Sequence, residues 1–167
     1  KREKIKCYTG DYEEFLENVD AVYIASPNET HFEYAKKAIE AGKHVLSEKP
    51  LSFTKKESEV LYTSAKEKGV VLMEAVKAAY CPGFQQLINV AKSGKIGDIV
   101  DVEASFTRLA DPLSRERTDA EYGGAFLEFG PSVLVPVIKL MGKDYTSATF
   151  DSIYDGNGVD LYTKVDI

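Results

Sequence analysis

Strand and helix signals alternate three times in the first 75 residues, and that alternation limits the fold more than any other feature of the chain. Val19 to Ala25 is a nearly continuous apolar run, the pattern of a central parallel strand covered on both faces. Thr30 and Glu33 have capping-box spacing, and Phe32, Ala35, Ala38 and Ile39 follow as an apolar stripe closed by Gly42. His44 to Ser47 is the next strand. Thr54 and Glu57 repeat the capping box before a helix reaching Lys68, with Val60, Leu61, Ser64 and Ala65 inward, and Val70 to Met73 is a further buried strand. A short strand over Ile5 to Tyr8 and a helix over Asp11 to Asn18 precede this series. Such a series predicts a parallel sheet with helical crossovers.

The pattern changes after Glu74. Pro82 to Ser93 reads as an amphipathic helix ended by Gly94, and Ile99 to Arg108 as an alternating strand with one wet face. Leu109 to Tyr122 reads as a long polar loop. Gly123-Gly124 opens an apolar helix reaching Met141, in which Pro131 fits an early turn and Pro136 should kink the helix or shift its start. Asp155-Gly156-Asn157-Gly158 is a hairpin signal between two strand patterns. The expected class is therefore α/β: a partial parallel sheet over residues 1–76, then an α+β domain with a more open sheet over 77–167. No strand followed by G-x-G-x-x-G occurs, and the chain stops within a strand-like pattern, so it is expected to be a portion of a longer protein.

Composition narrows the function classes. The net charge of −6 argues against a nucleic-acid partner, and no apolar stretch is long enough to span a bilayer. Cys7 and Cys81 are isolated, which gives neither a disulfide framework nor metal-ligand spacing and makes a reduced, cytoplasmic setting the default.

The chemistry sits at strand ends, where open parallel sheets bind ligands. Ser26-Pro27-Asn28 follows the first central strand. Asn28 either offers its amide to a ligand or caps the next helix. His31 lies in the first helical turn, where an exposed or capping imidazole is the ordinary outcome, and His44 has no partner at meaningful spacing. Glu48-Lys49-Pro50 ends the second strand. Its first two side chains are expected to point to opposite sides, and Pro50 holds Lys49 extended and is compatible with a cis bond. Hydride chemistry on an alcohol needs a group to take the hydroxyl proton. An ordinary lysine, with a pKa near ~10.4, does this poorly until desolvation or a neighbouring cation lowers it.

These segments, Val19 to Asn28, His31, Ala41-Gly42-Lys43-His44-Val45 and Glu48-Lys49-Pro50, together with Gly94-Lys95-Ile96-Gly97 and Gly123-Gly124-Ala125, resemble the glucose-fructose oxidoreductase / inositol dehydrogenase / MocA family. The resemblance covers most of the chain. It implies a Rossmann domain, then a domain with a large open, mostly antiparallel sheet, and hydride transfer between NAD or NADP and a sugar, cyclitol or related polyol. It further implies that Ser26, Pro27, Asn28 and His31 line the cofactor, that Glu48 holds the nicotinamide ribose, and that Lys49 is the catalytic base or proton relay. The second sheet would join subunits in dimers or tetramers. Lys77 and Tyr80, just past the last strand of the parallel sheet, are candidate substrate-pocket residues, with a surface cation and a packing aromatic as the equally open alternatives.

Two departures stand out. The family's opening glycine-rich unit is not in this sequence. Its second catalytic motif, Asp-x-Gly-x-His or -Tyr, is matched here by Glu128-Phe129-Gly130-Pro131-Ser132. Glu128 can accept a bond from a substrate hydroxyl, but Ser132 is no acid near neutral pH, which shifts proton transfer onto Lys49. A non-catalytic dinucleotide- or sugar-binding regulator is the competing reading, and a redox-assisted glycoside hydrolase a third.

Overall fold

The computed structural model describes residues 9–167, so the expected strand over Ile5 to Tyr8 lies outside the described residues. The chain divides into two compact units between Ala75 and Val76.

In the first unit, helix α1 (Tyr12–Glu17) starts where the Asp11 side chain accepts from the backbone N–H groups of Glu13 and Glu14. Strands β1 (Ala21–Ile24), β2 (His44–Ser47) and β3 (Leu72–Glu74) form one parallel sheet in that order. Helix α2 (His31–Glu40) connects the first two, and α3 (Lys55–Lys68) the last two. The Thr54–Glu57 capping box forms as expected, and Gly69, in the left-handed region at φ 67°, ends α3. The core joins Val22, Ile24 and Val45 of the sheet to Ala35, Ala38, Ile39, Leu61 and Ala65 of the helices.

Four local expectations change. Only one face of β1 is buried: Val22 and Ile24 are enclosed, whereas Tyr23 is 58% exposed, because α2 covers a single side of the strands among the described residues. Thr30 forms no capping box. It has helical backbone angles, and its hydroxyl donates to Pro27 O at 2.7 Å and pairs with Ser26 Oγ at 2.6 Å, because a 3₁₀ turn over Asn28–Thr30 precedes α2. Val60 lies outward, as only Leu61 and Ala65 of α3 reach the core. His44 has a partner after all, accepting from the Val71 backbone N–H at 2.9 Å.

In the second unit, α4 (Pro82–Lys92) packs on α6 (Ala125–Met141), and both touch a 3₁₀ turn at Lys77–Tyr80. Strands β4 (Thr149–Tyr154) and β5 (Asp160–Asp166) pair antiparallel through the expected hairpin, and β5 packs against α6. The segment Ile99 to Arg108 is not a strand. It finds no backbone ladder among the described residues, and alternation alone cannot satisfy a strand's peptide groups. The expected polar loop contains a short helix, α5 (Arg115–Thr118). Pro131 is the seventh residue of α6, in its second turn, and α6 continues through both prolines without a shifted start. Each proline withholds one helical donor, from Leu127 O and Ser132 O respectively.

Leu61 is fully buried in the first unit. We expect Leu61→Ala to destabilise that unit by about 2–5 kcal/mol, read from urea denaturation. In the hairpin, backbone N–H bonds from Val159 and Asn157 hold the Asp155 carboxyl below its usual 3.8. A lowered carboxyl contributes stability that is present above the unfolded value and lost as pH falls through the folded one. Amide protection in the hairpin is therefore expected to weaken only in acid below 3.8, and Asp155→Ala to abolish that dependence in hydrogen exchange.

Candidate active site

The carboxyl ends of the three parallel strands are drawn together by backbone bonds that continue the ladder. Glu48 N donates to Ile24 O at 2.8 Å, and Ala75 N donates to Ser47 O at 2.8 Å. The segments that carry Ser26-Pro27-Asn28 and Glu48-Lys49-Pro50 therefore leave the sheet side by side.

His31 stands between them. Its side chain is fully buried, with Nδ1 2.7 Å from Pro50 O and Nε2 2.9 Å from Ser26 O. Carbonyl oxygens only accept, so a nitrogen bonds one only when it carries a hydrogen. A neutral ring donates to one of the two, and a protonated ring to both. His31 is thus neither exposed nor a cap; its ring is enclosed between the two strand-end segments.

The Lys49–Pro50 bond is cis. Pro50 and Leu51 are buried, while Glu48 and Lys49 are half-buried. Leu51 N donates to Glu74 Oε1 at 2.9 Å, a partner contributed by the end of β3. Tyr23, on the open face of β1, donates its hydroxyl to Glu48 Oε1. That bond, ahead of burial and the carboxylate's charge, raises the Tyr23 pKa above 10.0. Tyr23 and Glu74 were not singled out from the sequence. The available signal was parity: alternation from Tyr23 across the β1–β2 register puts Leu46, and hence Glu48, on the same face.

The chemistry of this donor set fits a dinucleotide. The Glu48 carboxylate accepts from Tyr23 and has lone pairs left for a ribose hydroxyl, while the half-buried Asn28 side chain carries amide donors and an acceptor.

In the second unit, Glu128 lies half-buried in the first turn of α6, with Ser132 four residues on and so on the same helix face. Asp160, unremarked in the sequence, fixes the start of this helix. Its Oδ2 accepts from Phe126 N at 2.8 Å and from Thr163 Oγ1 at 2.9 Å, which puts a carboxylate at the positive end of the helix. Gly124 (φ 95°) permits the approach, since a Cβ there would fall 1.8 Å from Asp160 Oδ1. The turn bearing Lys77 and Tyr80 packs against α6, with both residues exposed. A cleft of about 380 Å³ in the same unit is lined by Arg108, Phe129, Gly124 and Asp160 among others, but by neither Lys77 nor Tyr80, and Arg108 lies over the Phe129 ring at 5.1 Å and pairs with Glu116. Among the described residues no cluster of His, Cys, Asp and Glu is arranged to hold a metal ion, and no helix is long and apolar enough to cross a membrane.

Comparison with known proteins points the same way. Residues 1–76 match the family described as GFO_IDH_MocA, an oxidoreductase family with an NAD-binding Rossmann fold. A dTDP-3,4-didehydro-2,6-dideoxy-alpha-D-glucose 3-reductase from Actinomadura kijaniata is 39% identical over 68% of this chain and 35% of its own length. The scyllo-inositol 2-dehydrogenase (NADP(+)) IolU of Bacillus subtilis is 36% identical over 83% of this chain and 45% of its own. A 3-ketoreductase from Actinomadura kijaniata, crystallised as a mutant with TDP-benzene and NADP, superposes with a TM-score of 0.79 at 32% identity, over 93% of this chain and 49% of that one. The chain therefore spans less than half the length of these relatives in each case.

The Tyr23–Glu48 bond is open to direct measurement. A raised tyrosine pKa contributes stability that is present below the unfolded value and lost as pH rises through the folded one. We expect the Tyr23 ¹³Cζ resonance to titrate above 10.0, and Glu48→Leu to bring its midpoint back toward that value.

Proposed function

Because the chain belongs, through residues 1–76, to the oxidoreductase family with an NAD-binding Rossmann fold, we propose that the whole protein transfers a hydride between NAD or NADP and a sugar, cyclitol or related polyol. The observation that carries this reading is the Glu48-Lys49-Pro50 turn, held beside Ser26-Pro27-Asn28 at the carboxyl ends of β1 and β2.

Residues 1–76 are the later part of the dinucleotide-binding domain, and residues 77–167 the beginning of the substrate and oligomerisation domain. A bound nicotinamide supplies the hydride acceptor or donor. Asn28 and the turn around Pro27 bound the cofactor's place, and Glu48, oriented by Tyr23, accepts from its ribose hydroxyls. The Lys49 amine takes the proton of the substrate hydroxyl during oxidation and returns it during reduction. Glu128 accepts a bond from a second substrate hydroxyl, and Lys77 and Tyr80 orient the rest of the molecule. Ser132 leaves the helix face beside Glu128 without an acid for neutral pH, which concentrates proton transfer on Lys49.

Subunit contacts through the second sheet fit its exposure, since Phe150, Ile153, Tyr154, Leu161 and Tyr162 all face outward. We propose a homodimer or homotetramer assembled through this sheet, in the cytoplasm. The related 3-reductase and inositol dehydrogenase names suggest keto-sugars and cyclitols as the first compounds to assay.

The decisive experiment follows nicotinamide absorbance with protein from the complete coding sequence over a panel of polyols, sugars and keto-sugars. Lys49→Ala is expected to lower kcat by about 10²–10⁴-fold while the melting temperature and cofactor affinity stay near wild type. Unchanged turnover in that variant excludes the lysine mechanism. Cofactor binding without turnover of any panel member favours the regulatory reading instead.

A further inference from the structure

One peptide group in the first unit is held at both of its polar ends by side chains from outside its own turn. It is the Pro50–Leu51 peptide, immediately after Lys49. Its carbonyl oxygen lies 2.7 Å from His31 Nδ1, and its N–H donates to Glu74 Oε1 at 2.9 Å. His31 comes from the first turn of α2 and Glu74 from the last residue of β3, so the two arms reach the peptide from different elements. The second nitrogen of His31 meets Ser26 O at 2.9 Å, which links the same ring to the neighbouring strand-end segment.

We propose that His31 and Glu74 are positioning residues that clamp this peptide plane and so set where the Lys49 amine stands. A peptide plane is rigid about its C–N bond, so fixing its C=O and its N–H fixes the plane's orientation as well as its place. Lys49 is one residue upstream, with proline's restricted φ between. The backbone of Lys49 consequently has little freedom to swing, and the spread of positions open to its side chain narrows to that of its own rotamers. A ring that carries hydrogens on both nitrogens also ties the position of Lys49 to that of Ser26, so that the two strand-end segments move together. This assignment rests on Lys49 as the proton-transfer group, and it gives His31 a role different from contact with a ligand.

The test uses protein from the complete coding sequence and two readouts. The first is kcat, KM and NADPH affinity with whichever panel compound turns over. The second needs neither substrate nor cofactor: the rate at which acetic anhydride labels Lys49, relative to Lys66 on α3, read by peptide mass spectrometry. His31→Leu and Glu74→Leu are expected to lower kcat by about 100-fold with KM and NADPH affinity little changed, as for a misplaced catalytic group. Both are expected to change Lys49 labelling severalfold with Lys66 unaffected. His31→Asn keeps a donor near the place of Nδ1, and Glu74→Gln keeps an acceptor for Leu51 N; both are expected to restore most of the kcat and the labelling rate.

Wild-type Lys49 labelling in the leucine variants overturns the clamp, and so does failure of Asn and Gln to do better than leucine. Where the leucine variants lose a cooperative melt, His31→Asn is compared with His31→Gln, whose amide reaches toward Ser26 O instead of Pro50 O; equal labelling in those two overturns it. Absence of turnover in the wild type counts against the oxidoreductase reading alone, because the labelling contrast still decides the clamp.

Discussion

Two carbonyl oxygens at the ends of neighbouring strands, Ser26 O and Pro50 O, converge on a single enclosed imidazole, and the arrangement of the first unit's candidate site depends on that convergence. Both segments leave the sheet at points where the ladder stops supplying partners. Water is kept from the His31 ring by the packing of α2 on β1 and β2. Without a hydrogen from the ring, a carbonyl group enclosed here would stand unpaired, at a cost of about 1–3 kcal/mol. The same bonds that stabilise the unit therefore hold the strand-end segments in one relative position.

The second unit solves a similar problem with a carboxylate. The first N–H groups of α6 need acceptors that the helix itself cannot provide, and Asp160 reaches from the start of β5 to supply one. The approach is close enough that only glycine serves at position 124. Glu128, the candidate acceptor for substrate, sits one turn along, so its placement is tied to the hairpin through a residue distant in sequence. In each unit, backbone groups at the end of one element are satisfied by a side chain from another, and the candidate functional residues lie next to those junctions.

How legible this was in the sequence varied with the range of the forces involved. The β1–α2–β2–α3–β3 order, the Thr54–Glu57 capping box and the hairpin around Asp155 are set by periodicity and by residues a few positions apart, and they form as read. The Thr30–Glu33 spacing was the same signal as Thr54–Glu57 and gave a different result. Thr30 has a competing acceptor in Pro27 O, and a 3₁₀ turn uses its hydroxyl before a helix cap can. Ile99 to Arg108 has a strand's alternation and lacks a ladder among the described residues, since side-chain parity does not by itself provide a pairing partner. Gly124 precedes the first residue of α6, as the paired glycines led one to expect, but the Asp160 contact at that start carries no local signal.

The sequence by itself determined the parallel α/β order, the strand ends that bear Asn28 and Glu48-Lys49-Pro50, and the resemblance that those motifs carry, because each is encoded within a few neighbouring residues. The tertiary structure alone decided that His31 lies inside rather than on the surface, that Tyr23 holds Glu48, that Glu74 holds Leu51 N, and that Asp160 begins α6. The His31–Pro50, Leu51–Glu74, Tyr23–Glu48 and Phe126–Asp160 bonds join residues 19 to 34 positions apart, while the second bond of His31, to Ser26, spans five. A hydrogen bond across such a separation is set by how elements pack in space, and no local pattern of residue types records it.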